Sequence, residues 1–173
     1  GVALQTESDI KTIKTKGRIK VVEERINETG SFDACCGIGH TRWATHGVPS
    51  KENAHPHICD HLALVHNGII ENYDILKTEL QTKGYIFESE TDTEVMAHLI
   101  KSKMNENNYD LFSAVKDSIK LLKGAYGTVI IDGAGPVTLN GVTSEKTYSD
   151  YNSWNVLTIP IEYYDTKSIP THI

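Results

Sequence analysis

The chain reads as an α+β fold in which sheets are covered by helices. Its first half is mostly short apolar runs broken by polar and glycine-containing stretches, as strands require. Two helical patterns then follow in succession and lead into another strand, an order unlike regular βαβ alternation.

Val2-Ala3-Leu4 starts a strand, and Thr6 to Thr15 suits a hairpin of two half-buried strands. Ile19, Val21, Val22 and Ile26 recur among charges at nearly helical spacing after Gly17, which predicts a short surface helix. Asn27 to Asp33 is a loop. Ala34 to Trp43 is expected as one strand, with Cys36, Ile38, His40 and Arg42 on a common face. Gly47 to Asn53 is a loop of the kind that gathers binding groups.

Leu62 to His66 returns as a buried strand. Asn67-Gly68 then breaks it with a turn signal that usually marks a hairpin, yet inside the longer motif the donor reading is favoured, with the Asn67 side-chain amide and the Gly68 backbone N–H as the pair. Asn72 is a helix N-cap ahead of Tyr73, Leu76 and Leu80, and Gly84 closes that helix. Tyr85-Ile86-Phe87 is a short strand. Thr91 and Glu94 form a capping-box pattern before Val95, Met96, Leu99 and Ile100, with Asp92 at the helix start. Asp110 caps a further helix that turns Leu111, Ala114, Val115, Ile119 and Leu122 inward, and Ala125 to Asp132 is a strand.

Composition limits what the chain can be. A length of 173 residues suits one domain. A net charge of -6 supplies no basic footprint, so nucleic acid is not an expected partner. No apolar run approaches the roughly 20 residues needed to cross a bilayer, and no membrane partner is expected; the chain reads as cytoplasmic. Cys35, Cys36 and Cys59 are an odd count with two adjacent, which makes no disulfide framework.

The densest cluster of directional polar groups runs from Gly39 to Asn72. It contains His40-Thr41-Arg42-Trp43-Ala44-Thr45-His46-Gly47, Asn53-Ala54-His55-Pro56-His57 and His66-Asn67-Gly68-Ile69-Ile70-Glu71-Asn72. Ser89-Glu90-Thr91-Asp92-Thr93-Glu94 follows at a suitable distance. These blocks resemble the class II, N-terminal-nucleophile glutamine amidotransferase domain of the glucosamine-6-phosphate synthase family. The resemblance covers residues 1–132, and 133–173 is a divergent tail without family wording. That tail either supplies divergent strands or is not the domain's own sequence.

The resemblance implies a four-layer α-β-β-α sandwich, incomplete at its N-terminus, and a glutaminase that releases ammonia for an acceptor sugar. It assigns the nucleophile to a first-residue cysteine followed by Gly-Ile. Gly1 stands at the start here, directly before a strand, so a lost beginning is expected to have carried that cysteine. Without the thiol, hydrolysis should be nearly absent, since losing the nucleophile of a hydrolase costs on the order of 10⁶ in turnover. Cys36-Gly37-Ile38 imitates the missing wording. On an extended strand, however, Cys36 would lie roughly 20 Å from Arg42, and it has no free α-amine to serve as base. It is read as structural.

Arg42 suits the glutamine α-carboxylate, because a guanidinium can donate two parallel hydrogen bonds, and Asp92 suits the α-ammonium. The resemblance gives the same two roles. It also implies an oxyanion hole from Asn67 and the Gly68 amide, with Trp43, Thr45, His46 and His55 lining the glutamine pocket. No cofactor or metal is implied. The partners implied are glutamine and a sugar-phosphate isomerase domain as ammonia acceptor, and a homodimer is compatible with the full-length enzyme.

Three rivals stand beside this reading. One is the glutaminase domain of the purine-pathway amidotransferase, which shares the Asn-Gly and Asp-Thr-Glu elements. Another is a metal site among His40, His46, His55, His57, Cys59 and His61, against which the zinc-ligand spacing is wrong and His-Pro-His should hold its rings apart. The third is a non-catalytic remnant that keeps a binding pocket or only a scaffold.

Overall fold

The computed structural model describes residues 1–6, 9–30, 34–42, 46–107 and 110–133, and strands within 137–159. Strands β1 (Val2–Thr6), β2 (Ile10–Ile13) and β3 (Ala34–Gly39) form one antiparallel sheet in the order β2-β1-β3. Strands β4 (His57–Cys59), β5 (Leu62–Ile70), β6 (Gly124–Asp132) and β9 (Val156–Ile159) form a second, in the order β4-β5-β6-β9. Strands β7 (Val137–Leu139) and β8 (Val142–Ser144) pair with each other. Helix α1 (Ile19–Thr29) touches β2, whereas α2 (Tyr73–Thr82), α3 (Asp92–Glu106) and α4 (Leu111–Ile119) pack together, with α3 laid on β4 and β5. The order α1, first sheet, second sheet, α2–α4 is the four-layer sandwich of the α+β class.

Strand β5 explains the layering. Leu62, Leu64 and Ile70 join the core under the helices, with Leu76, Leu80, Val95 and Ile100. Ala63 and Val65, on the opposite face, join Ala3, Ile10, Ile38 and Ile131 between the two sheets. A strand buried on both faces loses polar alternation and reads as one apolar run, as Leu62 to Val65 does. Helix α1 buries no residue fully, in keeping with its charged sequence.

Several expectations are corrected. Strand β3 stops at Gly39, so Cys36, Ile38, His40 and Arg42 do not share one strand face. His40 N–H is bonded to the Gly1 carbonyl, but Arg42 N–H turns back to His40 Nδ1 at 2.9 Å, and Arg42 takes φ +52°. Asn67-Gly68 is not a turn: β5 runs through both, opposite Gly127 and Tyr126 of β6. Tyr85 to Phe87 is not a strand; the chain there has no ladder partner, Ile86 is exposed, and the next two amides are bound by Glu94.

Asn72 does sit at the N-cap of α2, without a side-chain cap bond. Its amide instead bridges to the far end of α4, accepting from Lys123 N–H and donating to the Leu121 carbonyl, both at 2.9 Å. Thr91 caps α3 by accepting from Glu94 N–H, and Asp110 caps α4 by accepting from Ser113 N–H.

Candidate active site

The open ends of β3 and β5 and the start of α3 meet at a cavity of about 230 Å³. Its walls are His40, His55, His66, Asn67, Gly68, Ile69, Thr91, Asp92 and Thr93. That is below the roughly 300–1,000 Å³ of drug-sized sites and suits a small polar molecule.

Asp92 is buried at the first position of α3, where the helix dipole favours an anion. One of its oxygens accepts from Ile70 N–H at 2.9 Å, and the same oxygen lies 3.7 Å from His46 Nδ1. The carboxylate is thus anchored from one side by β5 while it lines the cavity.

Across from it, Gly68 holds φ +133°. A Cβ there would sit 2.2 Å from the Ala125 carbonyl and 2.6 Å from Tyr126 Cα, both backbone, so only glycine fits. Asn67 beside it is exposed at the rim.

Arg42 sits next door. It lines a neighbouring cavity of about 390 Å³ that shares His40 and His55 with the first. Its Nη2 donates to the carbonyls of His46 and Gly47, the second at 3.0 Å, and Nη1 donates to the Val48 carbonyl at 3.3 Å. Asn53 ties the same loop to the approach of α3, donating to the Val48 carbonyl and Glu90 Oε2 and accepting from Glu90 N–H. Three of the five guanidinium N–H groups are therefore taken up by loop carbonyls.

A hydrogen-bonded relay runs along the cavity wall. His40 Nδ1 accepts from Arg42 N–H, so it is unprotonated, and His55 Nδ1 at 2.9 Å must be the donor to it. Burial first, then the neighbouring His57, His40, His66 and Arg42, push His55 down to about 2, so its ring is neutral and Nε2 is an acceptor. Thr93 Oγ1, 2.9 Å away, donates to it and in turn accepts from His66 Nδ1 at 3.1 Å. Burial also lowers the His66 pKa, against the pull of Asp92. The neutral His66 ring then leaves Nε2 as a buried acceptor without a hydrogen-bond partner.

The fold therefore brings Asn67, Gly68, Asp92 and His55 to one cavity, with His46 against Asp92 and Arg42 one wall away. Trp43 and Thr45 lie outside the described residues. Sequence reasoning missed His40, His66 and Thr93 as members of the site. Their signal was present, since each belongs to one of the quoted blocks, but the pairing across 27 to 38 positions is visible only in the fold.

The expectation that His-Pro-His separates its rings is also corrected. The His55–Pro56 bond is cis, and the rings of His55 and His57 lie edge to face with centroids 5.3 Å apart. Even so, among the described residues no group of three or more His, Cys, Asp or Glu is arranged to hold a metal ion.

Two stacked antiparallel sheets between helices, with a small polar cavity at the strand ends, match the layer order that the resemblance to the N-terminal-nucleophile amidotransferase class implies. Residues 40–139 match the glutamine amidotransferase domain family, and the chain belongs to that family.

Its relatives narrow the comparison. The chain is 45% identical over 141 residues to the glutamine–fructose-6-phosphate aminotransferase (isomerizing) of Buchnera aphidicola, covering 82% of this chain and 23% of the relative. It is 45% identical over 136 residues to the enzyme of that name in Escherichia coli K12, covering 79% of this chain and 22% of that one. The chain thus spans less than a quarter of the length of these relatives. Among solved structures it resembles the glutamine phosphoribosylpyrophosphate amidotransferase of B. subtilis, complexed with ADP and GMP. The TM-score is 0.63 and the identity 32%, over 76% of this chain and 28% of that one. A second structure, an allosteric regulatory enzyme of purine biosynthesis, gives a TM-score of 0.65 and 33% identity over 76% of this chain and 29% of that one. Among the described residues no helix is long and apolar enough to cross a membrane.

Proposed function

We propose that this chain is the glutamine-recognition part of a glutamine–fructose-6-phosphate aminotransferase, the part that takes ammonia from glutamine for transfer to a sugar phosphate. The observation that carries the reading is the cavity where the buried Asp92 carboxylate faces the Asn67–Gly68 rim of β5. Asp92 would hold the α-ammonium. The Asn67 amide and the Gly68 N–H would hold the oxyanion, a donor set in which each member is typically worth about 3 kcal/mol of transition-state stabilisation.

Arg42 would hold the α-carboxylate. To present two parallel donors it must exchange contacts with the loop carbonyls of 46–48 for contacts with the ligand. Glutamine binding is therefore coupled to a rearrangement of that loop, to which His46 belongs. His55 holds the wall through Thr93, and His66 Nε2 offers an acceptor to a substrate N–H.

Neither described thiol belongs to this cavity: Cys36 packs at the inter-sheet core and Cys59 lies against α3. Among the described residues lining it none is a cysteine to match the attacking one of the resembling family, and the chain by itself is proposed to bind glutamine without appreciable turnover. In the longer protein the acceptor would be an isomerase domain that binds fructose 6-phosphate. Identities of 45–47% to the hexosamine enzymes, against 32–33% to the purine-pathway structures, favour this acceptor over phosphoribosylpyrophosphate.

Calorimetric titration with L-glutamine and L-glutamate tests the pocket. Saturable binding of either is expected, weakened by about 10- to 150-fold in Arg42→Ala, since a hydrogen-bonded charge is worth about 1.5–3 kcal/mol. A folded wild-type chain that binds neither would leave only the scaffold reading.

A further inference from the structure

We propose that Cys59 is a reactive thiol, held ready by a hydrogen bond to His98 that Glu94 backs, and that it undergoes thiol–disulfide exchange with low-molecular-weight disulfides. The cluster is separate from the glutamine cavity and the proposal does not depend on that site.

Cys59 is the last residue of the edge strand β4 and is half-buried, packed against the core under the helices. His98 reaches it from α3, with Nδ1 3.2 Å from Sγ. The other ring nitrogen, Nε2, is buried without a hydrogen-bond partner and lies 3.6 Å from Glu94 Oε1, an ion-pair distance. Glu94 and His98 are one turn apart on the same helix, so the pair is set by α3 itself. The ring is clamped by Phe87 edge to face, with centroids 4.6 Å apart, and by Tyr85 at 5.1 Å. A thiol, an imidazole and a carboxylate in line are the groups that activate a sulfur nucleophile.

Charge supports the geometry. Burial opposes the imidazolium, but the Cys59 sulfur and the Glu94 carboxylate outweigh it and raise His98 to about 9. Burial likewise opposes the Glu94 charge. His98, the Ser89 hydroxyl and the amides of Glu88 and Ser89 overcome it and bring Glu94 down to about 2. Near neutral pH the imidazolium is therefore present beside the sulfur.

The other groups around the thiol are Lys101 of α3, paired with Asp60 at 3.0 Å, His57 on β4, and Tyr85 from the segment before α3. His57 is held neutral, its pKa pushed down to about 3 by burial and then by Lys14.

In the exchange step the Cys59 thiolate attacks one sulfur of the disulfide. A new S–S bond to Cys59 forms as the original S–S bond breaks, and the departing thiolate takes a proton from solvent. The disulfide is the oxidant, and no other electron acceptor is needed.

The test is per-site alkylation of the intact chain with iodoacetamide across pH 5.5–9, resolved by peptide mass spectrometry, with Cys35 and Cys36 as internal comparators. At pH 6.5 Cys59 should react about ten-fold faster than free glutathione under the same conditions. Oxidised glutathione should give one mixed disulfide on the Cys59 peptide. In His98→Gln the Cys59 rate should fall to that of glutathione or below. A wild-type Cys59 that reacts no faster than glutathione would overturn the proposal, and this outcome can be read whether or not the variant folds.

Discussion

Thr93 is one hydroxyl on which two imidazoles converge. Its oxygen serves His55 Nε2 as a donor and His66 Nδ1 as an acceptor, and the residue is 1% exposed, so no solvent can replace it. Replacing it by the isosteric valine keeps the volume but orphans two buried ring nitrogens. At about 1–3 kcal/mol for each unsatisfied group, Thr93→Val should cost at least about 2 kcal/mol in urea unfolding, whereas Thr93→Ser should stay within about 1. Equal midpoints for the valine variant and the wild type would mean that the relay is not a structural unit. The threonine was written plainly in the sequence, between Asp92 and Glu94, yet there it read only as part of a helix start. Asp92 and Asn67 were easier to read because their proposed roles follow from what their side chains are, whereas the role of Thr93 follows from what its neighbours need.

Glu94 shows how an element boundary is made. A capping box would return the Glu94 carboxylate to the N–H of its own cap, Thr91. Here it reaches further back and accepts from Glu88 N–H at 2.8 Å, Ser89 N–H at 2.7 Å and Ser89 Oγ at 2.6 Å. The approach to α3 is thereby pinned as an irregular turn, which is why the apolar triplet 85–87 has no strand to join despite its composition. Glu94→Gln keeps the shape but turns one acceptor into a donor facing an N–H. The expected loss is about 1.5–3 kcal/mol, measured by urea unfolding, with faster hydrogen exchange at the Glu88 and Ser89 amides. Unchanged exchange at both amides would refute the clasp. The helices α1 to α4 and strand β6 were legible because each has a self-contained period and a breaker at its end, whereas the hairpin expected within 6–15 is formed instead by β1 and β2, Val2–Thr6 paired with Ile10–Ile13. The misread segments depend on a distant partner: β5 passes straight through Asn67-Gly68 because β6 accepts Gly68 at φ +133°, and β3 ends at Gly39 because the next free amide finds a histidine ring.

At the scale of the whole molecule, titration couples these sites to stability. The rings of His55 and His57 are held neutral, at about 2 and about 3 in the fold against 6.5 unfolded, burial being the main cause of each. Folded values below unfolded ones stabilise above pH 6.5, and that contribution is lost as pH falls from 6.5 toward 3. Glu94, at about 2 against 4.5, adds a further loss below pH 4.5. His98 runs the other way: raised to about 9 from 6.5, it stabilises below pH 6.5, and its contribution disappears as pH rises from 6.5 to 9. The two opposed sets meet near pH 6.5, so the thermal midpoint should peak between about pH 6 and 7. It should drop by several degrees at pH 5 and at pH 9, given that each kcal/mol moves the midpoint of a chain this long by about 2–4 °C. The two limbs are separable. His98→Gln should flatten the alkaline limb and leave most of the acid limb in place, because burial is the main cause of the His55 and His57 shifts and His98 is the smallest of the influences on His57. A midpoint that keeps rising from pH 7 to pH 9 in the wild type would show that the imidazolium of His98 does not stabilise the fold, whatever Cys59 does chemically.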